Sequence, residues 1–315
     1  MRRGLVGIGL LAVLLVLAGC GGTSAGKESQ FTGEAGKLKV AASFYPVYEF
    51  VKAVGGDHVQ VVGMVPAGTE PHDWEPTPQH MRTLNEAQLF VYSGAGMESW
   101  VDKTLKSLDN KQLTVVETSK AVELLSGDEH ADDGHGHGEA LDPHIWLDPQ
   151  GVVKQVELIR DRLVQFDGAH KAEYEANAAK YIADLKQLDA DFQTGLSSCQ
   201  RRTFFTTHAA FGYLAHRYNL EQHPIMGLTP DAEPKPRDLA KVVDEARQQQ
   251  VHYIFFEPLV SDRVARTVAE EIGARPLVLN PFEGLTNAEV KAGKSYLTVM
   301  RANLTNLKTA MECGK

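Results

Sequence analysis

The chain has 315 residues, of which 43% are hydrophobic and 23% charged, with a formal net charge of −9. That much apolar material excludes a disordered chain and suffices for about two domains. The acidic balance excludes nucleic acid as a partner.

The first residues, MRRGLVGIGLLAVLLVLAGC, open on Arg2 and Arg3 and continue as an apolar run too short for a comfortable spanning helix. This reads as a secretory signal peptide over 1–19, the alternative being a retained anchor helix. Leu17-Ala18-Gly19-Cys20 resembles a bacterial lipobox, so Cys20 is expected to carry lipid as the first residue of the mature chain. The expected location is therefore extracytoplasmic, anchored by lipid to the cell membrane. With Cys20 so used, Cys199 and Cys313 remain, as a disulfide in an oxidising compartment or as two isolated thiols. Residues 20–37 are mostly small and polar and read as a flexible tether.

From Leu38 onward strands and helices alternate. KLKVAASF, HVQVVGMV, QLFVYSG and LTVVE have the character of buried strands, separated by helical patterns such as VYEFVKAVGG and MESWVDKTLKSL. Alternation of this kind predicts a parallel sheet covered by helices, an α/β lobe over 38–168. Across 169–198 it pauses: Tyr174, Ala178, Tyr181, Leu185, Leu188, Phe192 and Leu196 recur at steps of three and four, which predicts one long amphipathic helix. The alternation resumes over 199–315 with RTFFTT, VHYIFF and RPLVLN as strands. The fold class is thus α/β, two parallel-sheet lobes joined by one rigid helix. No repeat of fixed period is visible, although Pro71-His72 and Pro143-His144 echo one another.

Parallel sheets place ligands beyond the carboxyl ends of their strands. Four such loops carry polar candidates: GMVPAGTEPHDWEPTP with His72, LDPHIWLDP with His144, TFFTTHAAFGY with His208 and LVLNPFEGL with Glu283. The prolines stiffen the backbone that aims His72 and His144. Thr206 and Thr207 suggest helix capping, which puts His208 in a first helical turn whose dipole keeps the imidazole neutral. Three histidines and one carboxylate form a closed set suited to tetrahedral zinc; an all-oxygen set would have indicated magnesium or calcium. Glu257, in FFEPLVS, is the rival fourth ligand, otherwise a cap or ion-pair partner. Trp74 and Trp146, each two residues after a candidate, are placed to wall the cleft. His80, His170, His216, His223 and His252 read as surface or packing residues.

Residues 128–139 hold His130, His135 and His137 among five acids, with neither a basic residue nor an apolar anchor. Ordering such a stretch costs on the order of 1–2 kcal/mol per residue, so it reads as a weak secondary metal loop or as a merely solvated acidic one.

PHDWEPTP, DPHIWLDP, THAAFGY and NPFEGLT together resemble the zinc-binding lipoproteins of bacterial ABC importers, the ZnuA-like branch of a metal-receptor family that also has manganese-binding members. The resemblance runs from about Leu38 to the C-terminus. It implies a metal site in the interlobe cleft, with ligands falling on His72, His144, His208 and Glu283. In the manganese members a carboxylate stands in place of His208 and an aspartate near Asn280, so both positions point here to zinc. The implied function is that of a monomeric receptor, not an enzyme, that captures Zn2+ and delivers it to a membrane permease driven by a separate ATPase. A histidine-rich loop also marks the zinc branch. Two other classes are a zinc hydrolase, which needs an open coordination position and a general base, and a surface adhesin, which binds its partner without metal.

Overall fold

In a computed structural model the described residues are 30–32, 34–127, 140–230 and 234–314. The signal peptide 1–19, Cys20 and the histidine-rich stretch 128–139, with His130, His135 and His137, lie outside them.

The first lobe is built on β1 (Leu38–Ala42), α1 (Tyr45–Gly55), β2 (Val59–Gly63), α2 (Pro78–Glu86), β3 (Leu89–Tyr92), α3 (Val101–Ser107) and β4 (Thr114–Glu117). α4 (Pro149–Phe166) and α5 (Lys171–Leu196) follow. The second lobe contains β5 (Thr203–Thr206), α6 (Gly212–Tyr218), β6 (Glu221–Pro224), α7 (Pro236–Gln248), β7 (Tyr253–Phe256), α8 (Arg263–Ile272), β8 (Arg275–Val278), α9 (Asn287–Lys291) and α10 (Tyr296–Ala310). Each lobe has a four-stranded, wholly parallel sheet, in the orders β2-β1-β3-β4 and β6-β5-β7-β8. The two lobes therefore share one strand order despite the lack of a visible sequence repeat.

Strand side chains alternate between two buried layers, as a parallel sheet covered on both faces requires. Val40, Ala42, Leu89 and Val91 enter a central core with Phe204 and Phe255 of the second lobe, whereas Ala41 and Phe90 turn to an outer cluster around Trp74 and Trp100. Phe205 and Ile254 turn likewise to an outer cluster under α7 and α8. The central core is thus shared between the lobes. β6 was not anticipated: Glu-Gln-His-Pro is polar and ends on a proline, which suits an edge strand and hides the hydrophobic signal of one.

α5 joins the lobes. Its 26 residues span about 39 Å at 1.5 Å per residue. Tyr174, Ala178, Leu185, Leu188, Phe192 and Leu196 are buried on one face, which α1, α4 and α10 cover. The buried Asp189 on the same helix accepts hydrogen bonds from Gln150, Gln193 and Tyr218 at 2.9, 3.0 and 3.0 Å. A helix packed on by both lobes and tied through a satisfied buried carboxylate is a stiff connection.

The end of the expected tether is not free of the lobe. Phe31 packs against the outer cluster and Gln60 donates to Thr32 at 2.6 Å, because Phe31 supplies apolar surface that the small polar residues before it lack. No helix among the described residues is long and apolar enough to cross a membrane.

Cys199, just past α5, and Cys313, just past α10, are joined by a disulfide across a separation of 114 residues. It closes almost the whole second lobe into a loop. Replacing both cysteines with serine is expected to lower the free energy of unfolding by about 2–5 kcal/mol. Urea denaturation checks this, and an unchanged midpoint would show that the bridge contributes nothing.

Candidate metal centre

His72, His144, His208 and Glu283 converge between the lobes, one ligand atom from each lying within 4.8 Å of the others. All four are buried, with exposures of 8%, 0%, 0% and 2%.

Their local supports differ. His72 lies in the long connection from β2 to α2, a segment that reaches the second lobe where Gly68 N–H donates to Leu285 O at 2.8 Å. Glu283 lies beyond β8 on a loop held by Asn280, whose side chain accepts from Phe282 N–H at 2.8 Å. Asn303 of α10 in turn grips the Asn280 backbone, accepting its N–H at 2.9 Å and donating to its carbonyl at 2.7 Å. Phe282 has φ +58°, a left-handed conformation disfavoured for an aromatic residue and maintained here by these bonds and by complete burial.

Two expectations are corrected. His144 does not follow a strand: it comes well after β4 and immediately before a 3-10 turn at Ile145–Leu147 that leads into α4. His208 is not in a first helical turn, because α6 begins only at Gly212; Thr206 ends β5, and its hydroxyl donates to His208 O at 2.7 Å. The two threonines, an apparent cap in sequence, satisfy other backbone carbonyls instead: Thr207 donates to Phe255 O of β7 at 3.3 Å. The helix dipole therefore does not act on His208.

Carboxylates act on it instead. Glu257, beyond β7, accepts His208 N–H at 3.1 Å and lies 2.5 Å from its Nδ1. Asp142 treats His144 in the same way, one oxygen meeting both N–H and Nδ1 at 2.9 and 2.8 Å. Glu70 accepts His72 N–H with both oxygens at 3.1 Å. Glu70 and Asp142 escaped notice in the sequence, yet a signal was there: the echo is Glu-Pro-His and Asp-Pro-His, an acid two residues before each histidine. Gly212 belongs to this arrangement as well, since a Cβ there would collide with the Asp142 carboxylate.

With Asp142 on Nδ1 of His144 and the Glu257 carboxylate against Nδ1 of His208, Nε2 of each faces inward. Oε1 of Glu283 lies 3.2 Å from His208 Nε2, 3.3 Å from His144 Nε2 and 3.6 Å from His72 Nε2. Metal–ligand bonds of about 2.0–2.1 Å at tetrahedral angles place ligand atoms about 3.3 Å apart, close to the three distances from Glu283 Oε1. Nε2 of His72 and of His144 are buried without a hydrogen-bond partner, a costly condition that an ion would relieve.

The electrostatics agree. Burial opposes ionisation of Glu283, but the surrounding imidazoles, His208 foremost, outweigh it and hold the carboxyl well below its usual range. Burial likewise opposes charging of His208, and Glu257 and Glu283 overcome it, raising the imidazole well above its ordinary value. His144 is raised for the same reason by Asp142 and Glu283, again against burial. Of the three imidazoles, that of His208 hydrogen-bonds the Glu283 carboxylate, at 3.2 Å.

Glu257 lines up behind His208 rather than among the four converging residues. Trp146 adjoins the centre, its ring 5.3 Å from that of His144. Trp74 does not: it packs on Trp100 and His80 in the outer cluster, because the chain turns away after His72. His80 completes a capping box with Thr77 at the start of α2. His170 pairs with Asp167, His223 with Glu221 and Glu245, and His252 with Glu312. His216 lies in the last turn of α6.

Residues 40–310 match the model of the family described as "Zinc-uptake complex component A periplasmic", ZnuA. The zinc-binding protein AdcA of Streptococcus pyogenes serotype M1 is 42% identical over 289 residues, covering 87% of this chain and 56% of the relative. The chain thus spans about half the length of the AdcA relatives it matches. The high-affinity zinc uptake system protein ZnuA of Bacillus subtilis is 40% identical over 307 residues and 96% of both chains. Among solved structures, the Zn(II)-bound ZnuA-like domain of Streptococcus pneumoniae AdcA superposes with a TM-score of 0.76 at 41% identity, over 88% of this chain and 100% of that one. With a family model covering most of its length and a relative covered to 96% at 40% identity, the chain belongs to the ZnuA family of zinc-uptake components.

Proposed function

We propose that the protein is an extracytoplasmic zinc receptor, tethered by lipid at Cys20, that binds one Zn2+ through His72, His144, His208 and Glu283 and delivers it as a monomer to the membrane permease of an ABC importer. The convergence of three imidazoles and one carboxylate, their ligand atoms within 4.8 Å of one another in a buried cleft, carries this reading. Three nitrogens and one oxygen suit borderline-soft zinc better than manganese, which favours oxygen-rich shells. Four protein ligands also close the shell, whereas a hydrolase needs an open position for water.

Glu70, Asp142 and Glu257 position the histidines and add negative charge around a dication. Metal and protons compete for the same imidazole nitrogens, so capture and proton release are linked. Acid reverses the exchange and favours release of the cargo.

Zinc titration against a competing chelator tests the assignment. The parent is expected to bind one ion tightly, Glu283→Ala to lose most of that affinity, and Glu257→Ala to weaken it by about 10–100-fold, as removal of an outer carboxylate does. Tight binding that survives in Glu283→Ala and disappears in Glu257→Ala would exchange their roles.

The raised imidazoles of His144 and His208 set the direction of the pH dependence. Protons compete from above the unperturbed histidine value of about 6.5, so apparent affinity should fall steadily between about pH 8 and pH 5. A flat profile would remove the histidines from the shell.

The histidine-rich residues His130, His135 and His137 serve in this scheme as a weaker collector. Gly127 N–H donates to Ala140 O at 2.6 Å, and Ser126 pairs with Leu141 in an antiparallel bridge, so the residues flanking this stretch are already joined to each other. Deleting 128–139 should therefore preserve one tight zinc and abolish additional weak binding, whereas His144→Ala should impair the tight site with the stretch still present. Stoichiometry measured on both variants decides, and loss of the tight ion on deletion would make the stretch the principal receptor.

A further inference from the structure

Glu49 is a half-buried acid on α1 of the first lobe, remote in sequence from all four candidate ligands. Its carboxylate crosses to the second lobe, where Oε1 accepts the Tyr296 N–H at 2.7 Å. Tyr296 is the first residue of α10, so this is one of the donors that a helix N-terminus leaves without an intrahelical partner. Tyr181 of α5 donates to the same oxygen at 3.3 Å. Burial pushes the Glu49 carboxyl up to about 7, opposed by the Tyr296 amide, the Tyr181 hydroxyl and Lys52. An apolar residue would avoid that desolvation.

Tyr296 carries the contact onward. Its hydroxyl donates to Trp146 O at 2.7 Å, two residues past His144. The Trp146 indole then donates to Pro281 O at 2.6 Å, two residues before Glu283. The Tyr296 ring also meets Phe282 edge to face at 5.4 Å. Three hydrogen bonds, the last two fully buried, therefore link the lobes in succession, and they end on the segments that bear one ligand from each.

We propose that Glu49 is a positioning residue for the metal site, setting Tyr296 so that the His144 and Glu283 segments stay in register across the lobe boundary. This rests on the zinc-receptor reading above. Neither Glu49 nor Tyr296 touches the ion; they fix the separation of two groups that do. Loss of this tie leaves each ligand on its own lobe with added freedom, so the bound geometry must be selected from a wider set.

Chelator-competed zinc titration and the visible spectrum of the Co2+-substituted protein test the proposal, applied to the full mature chain with Glu49→Leu, Glu49→Gln and Tyr296→Phe. Glu49→Leu and Tyr296→Phe are each expected to weaken zinc by about fivefold, the scale of one lost buried hydrogen bond. Both should alter the intensity of the Co2+ d–d bands, which report ligand geometry and not global stability. Glu49→Gln keeps an oxygen acceptor for the Tyr296 amide and should restore most of the affinity and the parental spectrum. A parent that binds no tight zinc would overturn the receptor reading itself. A parent that binds, with Leu and Phe variants matching it in affinity and spectrum, would overturn the positioning role alone. So would variants that only melt earlier while keeping both readouts.

Discussion

Three imidazoles and one carboxylate, buried with one ligand atom of each within 4.8 Å of the others, are the constraint around which the molecule is arranged. Apolar packing cannot satisfy such a cluster, and water is largely excluded from it. The stability of the arrangement comes from further carboxylates. Glu70, Asp142 and Glu257 each accept a histidine backbone N–H, and two of them also meet the ring at Nδ1. Every histidine is thereby fixed at its own main chain, and two rings have their inward nitrogens assigned. A site held by groups outside the coordination shell can exchange protons for a metal ion without refolding.

The architecture delivers these groups from distant parts of the chain. Two sheets of identical strand order face a common cleft, and loops beyond β2, β5, β7 and β8 bring His72, His208, Glu257 and Glu283 to it. α5 keeps the facing loops at one separation because its buried face is shared with α1, α4 and α10. The central apolar core continues from one lobe to the other, so the ligands do not sit on independent bodies.

Particular residues show how far pattern reading reaches. The strands rich in valine, phenylalanine and leucine were legible because parallel strands covered on both faces must be apolar throughout. β6 was not, since an edge strand can be polar and end on Pro224. The period of three and four in 171–196 announced α5, because a helix between two lobes needs one continuous apolar stripe. Thr206-Thr207-His208 misled: threonine before an apolar run suggests a cap, but the same hydroxyls can donate to carbonyls of a loop or a neighbouring strand, and only the tertiary arrangement decides which.

The chemistry of the ligands, their number and the stiffness of the backbone at Pro71 and Pro143 follow from residue type and local order, since imidazole basicity and proline geometry are properties of short segments. Alternation of strand and helix likewise follows from local periodicity. Partnership does not. That Glu257 stands behind His208 while Glu283 stands beside it, and that Gly212 makes room for Asp142, depends on distances between segments tens of residues apart. The register of the sheets and the packing of α10 against the first lobe set those distances. Both are decided by how complementary surfaces fit in three dimensions, which no local pattern encodes.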